Sequence, residues 1–118
     1  MRDHTRLKVF ALADRLAVSV YRHSASFPAA ERFGLQSQVR RAAVSIAANI
    51  VEGCARSSEA EYLRFIEVAY SSARELQYEI DLCQRLGYLA ADEARPLNEQ
   101  CTTTAKALNG LLRALRRN

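Results

Sequence analysis

Arg41, Ser45, Asn49 and Glu52 recur at i, i+4, i+8 and i+11. That spacing sets a cation, a hydroxyl, an amide and a carboxylate along one side of one helix. Gln38 extends the row, and Glu75 and Glu79 further along the chain supply carboxylates that Arg41 can meet if two helices face each other. Two kinds of chemistry suit such a row. One is a small polar binding site at a helix–helix or subunit seam. The other is a structural network, in which Arg41, Ser45, Asn49, Glu52 and Glu75 satisfy one another and fix register, as buried polar groups must.

Catalytic arrangements are harder to assemble. The two histidines, His4 and His23, stand in no interpretable pattern with a serine or cysteine. Cys54, Cys83 and Cys101 include no C-x-x-C pair, which argues against a zinc site or a disulfide framework and fits a reducing compartment. Cys83 and Cys101 fall on apolar helical stripes and read as small buried hydrophobes rather than nucleophiles. A di-iron carboxylate bundle needs Glu-x-x-His pairs, and the chain has none. Phosphate-loop and dinucleotide glycine patterns are missing too. The expectation is a protein that is not an enzyme and needs no metal or other cofactor.

The elements that must position these residues are helices. Val9, Ala13, Leu16 and Val20 form one face of a first helix over about Arg6 to Ser26, which Phe27-Pro28 stops. Leu35, Val39, Ala42, Ile46 and Ile50 form the core stripe of a second, from about Leu35 to Glu52, with Gly53 as its stop. Ser58-Glu59-Ala60-Glu61 is a capping box that opens a third. Its stripe of Tyr62, Phe65, Ala69, Ala73, Leu76, Ile80, Cys83 and Leu86 ends at Gly87. Asp92 is expected to cap the fourth, with Pro96 near its first turn. Leu97, Cys101, Ala105, Leu108, Leu112 and Leu115 make its stripe, and Asn109-Gly110 is a weak point in propensity. No alternating β pattern occurs. Residues 1–118 are expected to form one all-α domain, an antiparallel up-down-up-down four-helix bundle that oligomerises.

The oligomer follows from the second helix. Opposite its core stripe it carries Val44, Ala47, Ala48 and Val51, interrupted mainly by Ser37 and Arg40. A helix apolar on two sides is buried on two sides. Either it is the most enclosed helix of a monomer, or the second face is a subunit interface; contiguous apolar surface favours the interface.

Charge is unevenly spread. The chain carries 17 Lys and Arg against 13 Asp and Glu, a net +4. Residues 57–90 nonetheless sum to −3, so one acidic helix sits among basic ones. Arg2, Arg6, Lys8, Arg113, Arg116 and Arg117 crowd the two ends and form a candidate nucleic-acid surface, directed at phosphate. Helix-dipole complementarity and solubility explain the same charges without a ligand. No aromatic platform interleaves them, so single-strand stacking is not supported. No apolar run approaches the roughly 18 residues of a membrane span, and no signal-peptide core is apparent. A cytoplasmic protein with no membrane role is expected.

Arg40-Arg41-Ala42-Ala43-Val44-Ser45-Ile46 followed by Asn49-Ile50-Val51-Glu52-Gly53 resembles the core of the 23S rRNA intervening-sequence, or four-helix-bundle, protein family. Phe27-Pro28, Gly34-Leu35, Glu61-Tyr62, Glu75-Leu76 and Leu86-Gly87-Tyr88 extend the resemblance from about Val9 to Leu89. Ala47 stands where many members carry proline, and Ser71 where glycine is common. The resemblance implies a bundle assembled as a homopentamer, with an obscure function. Members are encoded within inserts in bacterial large-subunit ribosomal RNA genes and elsewhere. Similar proteins serve as accessory factors of diversity-generating retroelements, engaging a reverse transcriptase and nucleic acid. The partners so implied are the chain itself and RNA, DNA or a nucleic-acid enzyme; the rival is a protein-only scaffold.

Overall fold

Hydrophobic stripes at 3-4 spacing can be buried together only if each helix packs on two neighbours, and the computed structural model, which describes residues 2–117, has that form. Four helices, α1 (Lys8–Ser24), α2 (Leu35–Cys54), α3 (Glu59–Arg85) and α4 (Ala91–Arg116), follow one another with short links. Each packs on the next, and α4 closes back on α1. Short 3-10 turns at His4–Arg6 and Ala29–Glu31 precede α1 and α2. Among the described residues there is no strand. The bundle measures 44 × 22 × 19 Å.

The expected core is largely the observed one. Val9, Ala13, Leu16 and Val20 of α1 and Leu35, Val39, Ala42, Ile46 and Ile50 of α2 are all buried, joined by Ala43 and Cys54. On α3 the stripe shifts. Ile66 is fully buried where Phe65 was expected, Phe65 is half-buried, and Leu86 is exposed. A 27-residue helix flanked by α2 and α4 buries more than one line of side chains, so adjacent positions compete for the core.

Helix ends correct three expectations. Gly53 does not stop α2, which continues through it to Cys54. Its lack of a side chain serves packing instead: a Cβ there would lie 2.9 Å from Phe65 Cβ and 3.3 Å from Tyr62 Cδ1. Asp92 is not the cap of α4. Ala90 holds that position in extended geometry, its N–H donating to Glu93 Oε1 at 3.3 Å, and Asp92 lies in the first turn, where the helix dipole favours a carboxylate. Pro96 therefore falls in the second turn of the helix rather than near its first. It removes one N–H from the ladder, at a position where both Asp92 and Pro96 are exposed. α1 also begins and ends about two residues inside the expected span, a normal scatter for frayed ends.

Ser58 caps α3 as expected, although the Glu61 carboxylate takes the Ser58 hydroxyl rather than its backbone N–H. Ser58 Oγ accepts the Glu61 N–H at 3.1 Å and donates to Glu61 Oε1 at 3.2 Å, a cap that stabilises by about 1 kcal/mol. Gly87 ends α3 with φ +81°. That left-handed turn lets the Tyr88 N–H reach back to the Cys83 carbonyl at 2.9 Å. α2 runs unbroken through Ala47, and α4 through Asn109-Gly110.

Candidate functional site

The α2–α3 seam gathers most of the polar row. Gln38, Arg41, Ala42 and Ser45 of α2 face Ser72 and Glu75 of α3 across an open groove. Ser45 and Ser72 meet hydroxyl to hydroxyl at 2.9 Å. Asn49 Nδ2 donates to the Ser45 carbonyl at 2.8 Å and to Ser45 Oγ at 3.0 Å. Ser45, Ser72 and Asn49 thus form a satisfied structural network. Glu52 does not join it: the helix carries it to the exposed end, where it pairs with Arg56 at 3.6 Å. Arg41 and Glu75 line the groove without forming an ion pair among the described residues.

Glu79 is the unusual member. It is only 4% exposed, and its Oε1 is buried with no hydrogen-bond partner among the described residues. Burial is the main cause that pushes its carboxyl up to about 8, followed by a hydrogen bond to Glu75 and the Glu75 charge, with Arg41 opposing. Two carboxyls one helical turn apart cannot both ionise cheaply, so burial and the neighbouring charge together favour the protonated form of Glu79. The sequence carried a signal for this burial. Ser72, Leu76, Glu79 and Cys83 follow 4-3-4 spacing, which puts a glutamate on a core stripe.

The thiols are inert. All three cysteines are buried; desolvation pushes Cys83 up to about 11 and Cys101 up to about 12, and Cys54 is raised for the same reason. Cys101 Sγ donates to the Ala73 carbonyl at 3.3 Å. His23 lies 3.5 Å from Glu93, with no nucleophile in the pair. Among the described residues no group of three or more His, Cys, Asp or Glu is placed to hold a metal, and no helix is long and apolar enough to cross a membrane. A larger open groove on α3 and α4, lined by Gln84, Arg95, Asn98, Glu99, Thr102 and Thr103, was not anticipated and brings no such groups together.

The second apolar face of α2 lies uncovered in the single chain. Val44 is 44% exposed, Ala48 is exposed, and Ala47 and Val51 are half-buried. α1 adds Val18 and Tyr21, both exposed, and the Arg40 guanidinium lies 4.6 Å from the Tyr21 ring centroid while its Nε donates to Ser24 Oγ at 2.8 Å.

The six terminal cations do share one end of the bundle, and so do acids from α3. Arg2 is drawn in: its N–H donates to the Cys54 carbonyl, its guanidinium pairs with Glu59, and it lies 3.7 Å from the Tyr62 ring centroid. Arg116 pairs with Glu67 at 2.9 Å. Arg6, Lys8, Arg113 and Arg117 are exposed and form no ion pair among the described residues.

No functionally curated protein matches the chain. Among solved structures it is similar to a protein of unknown function from the S23 ribosomal protein family of Bacteroides thetaiotaomicron, with a TM-score of 0.79 at 24% identity, covering 88% of this chain and 97% of that one. That likeness supports the bundle fold. Residues 5–110 match the 23S rRNA-intervening sequence proteins, nearly the whole bundle, and the chain belongs to that family.

Proposed function

We propose that the protein works by self-association, as a non-catalytic accessory or scaffold protein whose subunits pack through the outer face of α2. The observation that carries this reading is the second apolar face itself. Val44 and Ala48 project outward from the same helix whose opposite side is fully enclosed. Small side chains allow a partner helix to approach closely, and covering the patch removes apolar surface from water at about 25 cal/mol per Å². The homopentamer implied by the family resemblance is the assembly we assign to it. Solution mass tests this directly, on the wild type and on Ala48→Glu.

A second reading rests on Arg6, Lys8, Arg113 and Arg117, exposed at one end of the bundle. In a ring each would be repeated around the axis, so a modest charge per chain becomes a concentrated positive field suited to the phosphates of RNA or DNA. Glu59, Glu61 and Glu67 share that end and temper the field. Binding there is expected to be sequence-independent and steeply salt-dependent.

A further inference from the structure

The groove on α3 and α4, about 620 Å³ in volume, adjoins two others along α4. It shares Glu99 and Thr103 with a groove of about 360 Å³ walled by Leu12 and Arg15 of α1. It shares Thr102 with one of about 280 Å³ walled by Tyr70, Arg74 and Gln77 of α3. The outer side of α4 is thus a ridge between two open, mainly polar troughs.

That ridge is basic along its length. Residues 94–117 carry Arg95, Lys106, Arg113, Arg116 and Arg117 against Glu99 alone; five cations less one acid give +4, equal to the net charge of the whole chain. Arg113 follows Arg95 by five turns of 3.6 residues and Lys106 follows it by about three, so the three share one line on the helix. All three are exposed and form no ion pair among the described residues, and the same holds for Arg15 and Arg74 on the flanking walls. A helix dipole favours cations only in the last turn, which accounts for Arg113 but not for Lys106 or Arg95. The row spans about 27 Å at 1.5 Å per residue and converges on no point, which suits an extended polyanion and not a small anion. Asn98, Thr102 and Asn109 stand between the cations as neutral donors for phosphate oxygens. A protein partner would need an apolar centre to bury, which the troughs do not offer. α4 contains no aromatic residue, so unpaired bases would find no stacking platform on it.

We propose that the outer side of α4 is the track of a nucleic-acid duplex, whose phosphates run from Arg113 at the basic end of the bundle past Lys106 to Arg95. The track rests on the nucleic-acid reading above and carries its site from the end of the bundle along one side. The row matches roughly eight base pairs at 3.4 Å each. Arg15 and Arg74 add positive charge on the two flanks, and contacts confined to phosphate make the binding indifferent to sequence.

Fluorescence anisotropy with a mixed-sequence duplex of about 16 base pairs, twice the length of the row, tests this, made as DNA and as RNA, with the matching single strands beside them. The Arg95→Gln, Lys106→Gln double variant changes two exposed residues away from the basic end, and helicity and solution mass should stay those of the wild type. It is expected to weaken duplex binding at least tenfold and to lower the salt slope by about two. The duplexes are expected to bind more tightly than their single strands, and the tighter duplex identifies the source of the phosphates. Unchanged affinity and slope in this variant, beside a loss in the Arg113→Gln, Arg117→Gln variant, overturn the track and leave the basic end as the site. Tighter binding of the single strands also contradicts the track. A wild type that binds no nucleic acid overturns both readings.

Discussion

The Tyr88 hydroxyl donates to Glu31 Oε2 at 2.8 Å while Glu31 Oε1 accepts the Leu35 N–H at 3.0 Å. One carboxylate thereby ties the turn after α3 to the first residue of α2. These two bonds, the Leu35 N–H first and Tyr88 second, hold the Glu31 carboxyl below its usual range. A depressed folded-state value means stability that is present above the unfolded value and lost as pH falls through the folded one. Glu31→Gln should flatten the acid limb of stability against pH. Urea midpoints from neutral pH down to below the usual carboxylate range measure it, and an unchanged acid limb would show that the tie carries no weight.

Glu79 should act in the opposite sense in the dissociated chain. Its folded carboxyl titrates at about 8 against 4.5 for a free glutamate, so the native state binds more protons than the unfolded state between those values. Stability then falls as pH rises through that window and levels off above it. Glu79→Gln in the Ala48→Glu background should remove this slope and be the more stable form at alkaline pH. Urea titrations at pH 5, 7 and 9, each near one part of that window, compare the two proteins; parallel curves would mean that Glu79 is ionised throughout.

Gly53→Ala should cost about 1–3 kcal/mol, the range for overpacking a close contact. The new methyl meets Phe65 Cβ, which is anchored to backbone and cannot swing aside. Chemical denaturation reads the loss directly. A stabilised protein would mean that helix propensity, which favours alanine over glycine, outweighs the crowding.

Gly53 also shows where sequence reasoning stops. A glycine near the end of an apolar stripe reads as a helix terminator, and only the approach of Phe65 and Tyr62 from α3 reveals a packing role. Gly87 was read correctly because its cue is local, a left-handed turn after the last apolar residue. The stripes of α1 and α2 were equally plain, since each has one dominant core face. On α3 both Phe65 and Ile66 stand at core spacing from Tyr62 and Ala69, so periodicity alone did not choose between them. The Ser45–Asn49 part of the polar row emerged from its spacing, whereas the departure of Glu52 toward Arg56 depended on where α2 leaves α3. For Glu79 the core spacing was present, but the expected pairing with Arg41 does not form among the described residues.

Removing Arg113, Arg116 and Arg117 together should weaken any RNA or DNA binding and lower its salt slope. Arg113 and Arg117 should account for most of the change, because Arg116 is held by Glu67. Fluorescence anisotropy with a mixed RNA and DNA pool at several salt concentrations measures both quantities. Unchanged affinity in the triple variant would place binding elsewhere.

The most direct test of self-association through α2 is the solution mass of the wild type beside Ala48→Glu, by light scattering behind size-exclusion chromatography. The wild type is expected at a multiple of the 13.2 kDa chain, homopentameric, and Ala48→Glu at the mass of one chain with its helicity intact. A wild type at 13.2 kDa, or a variant that assembles as the wild type does, would contradict an interface at Val44, Ala47, Ala48 and Val51.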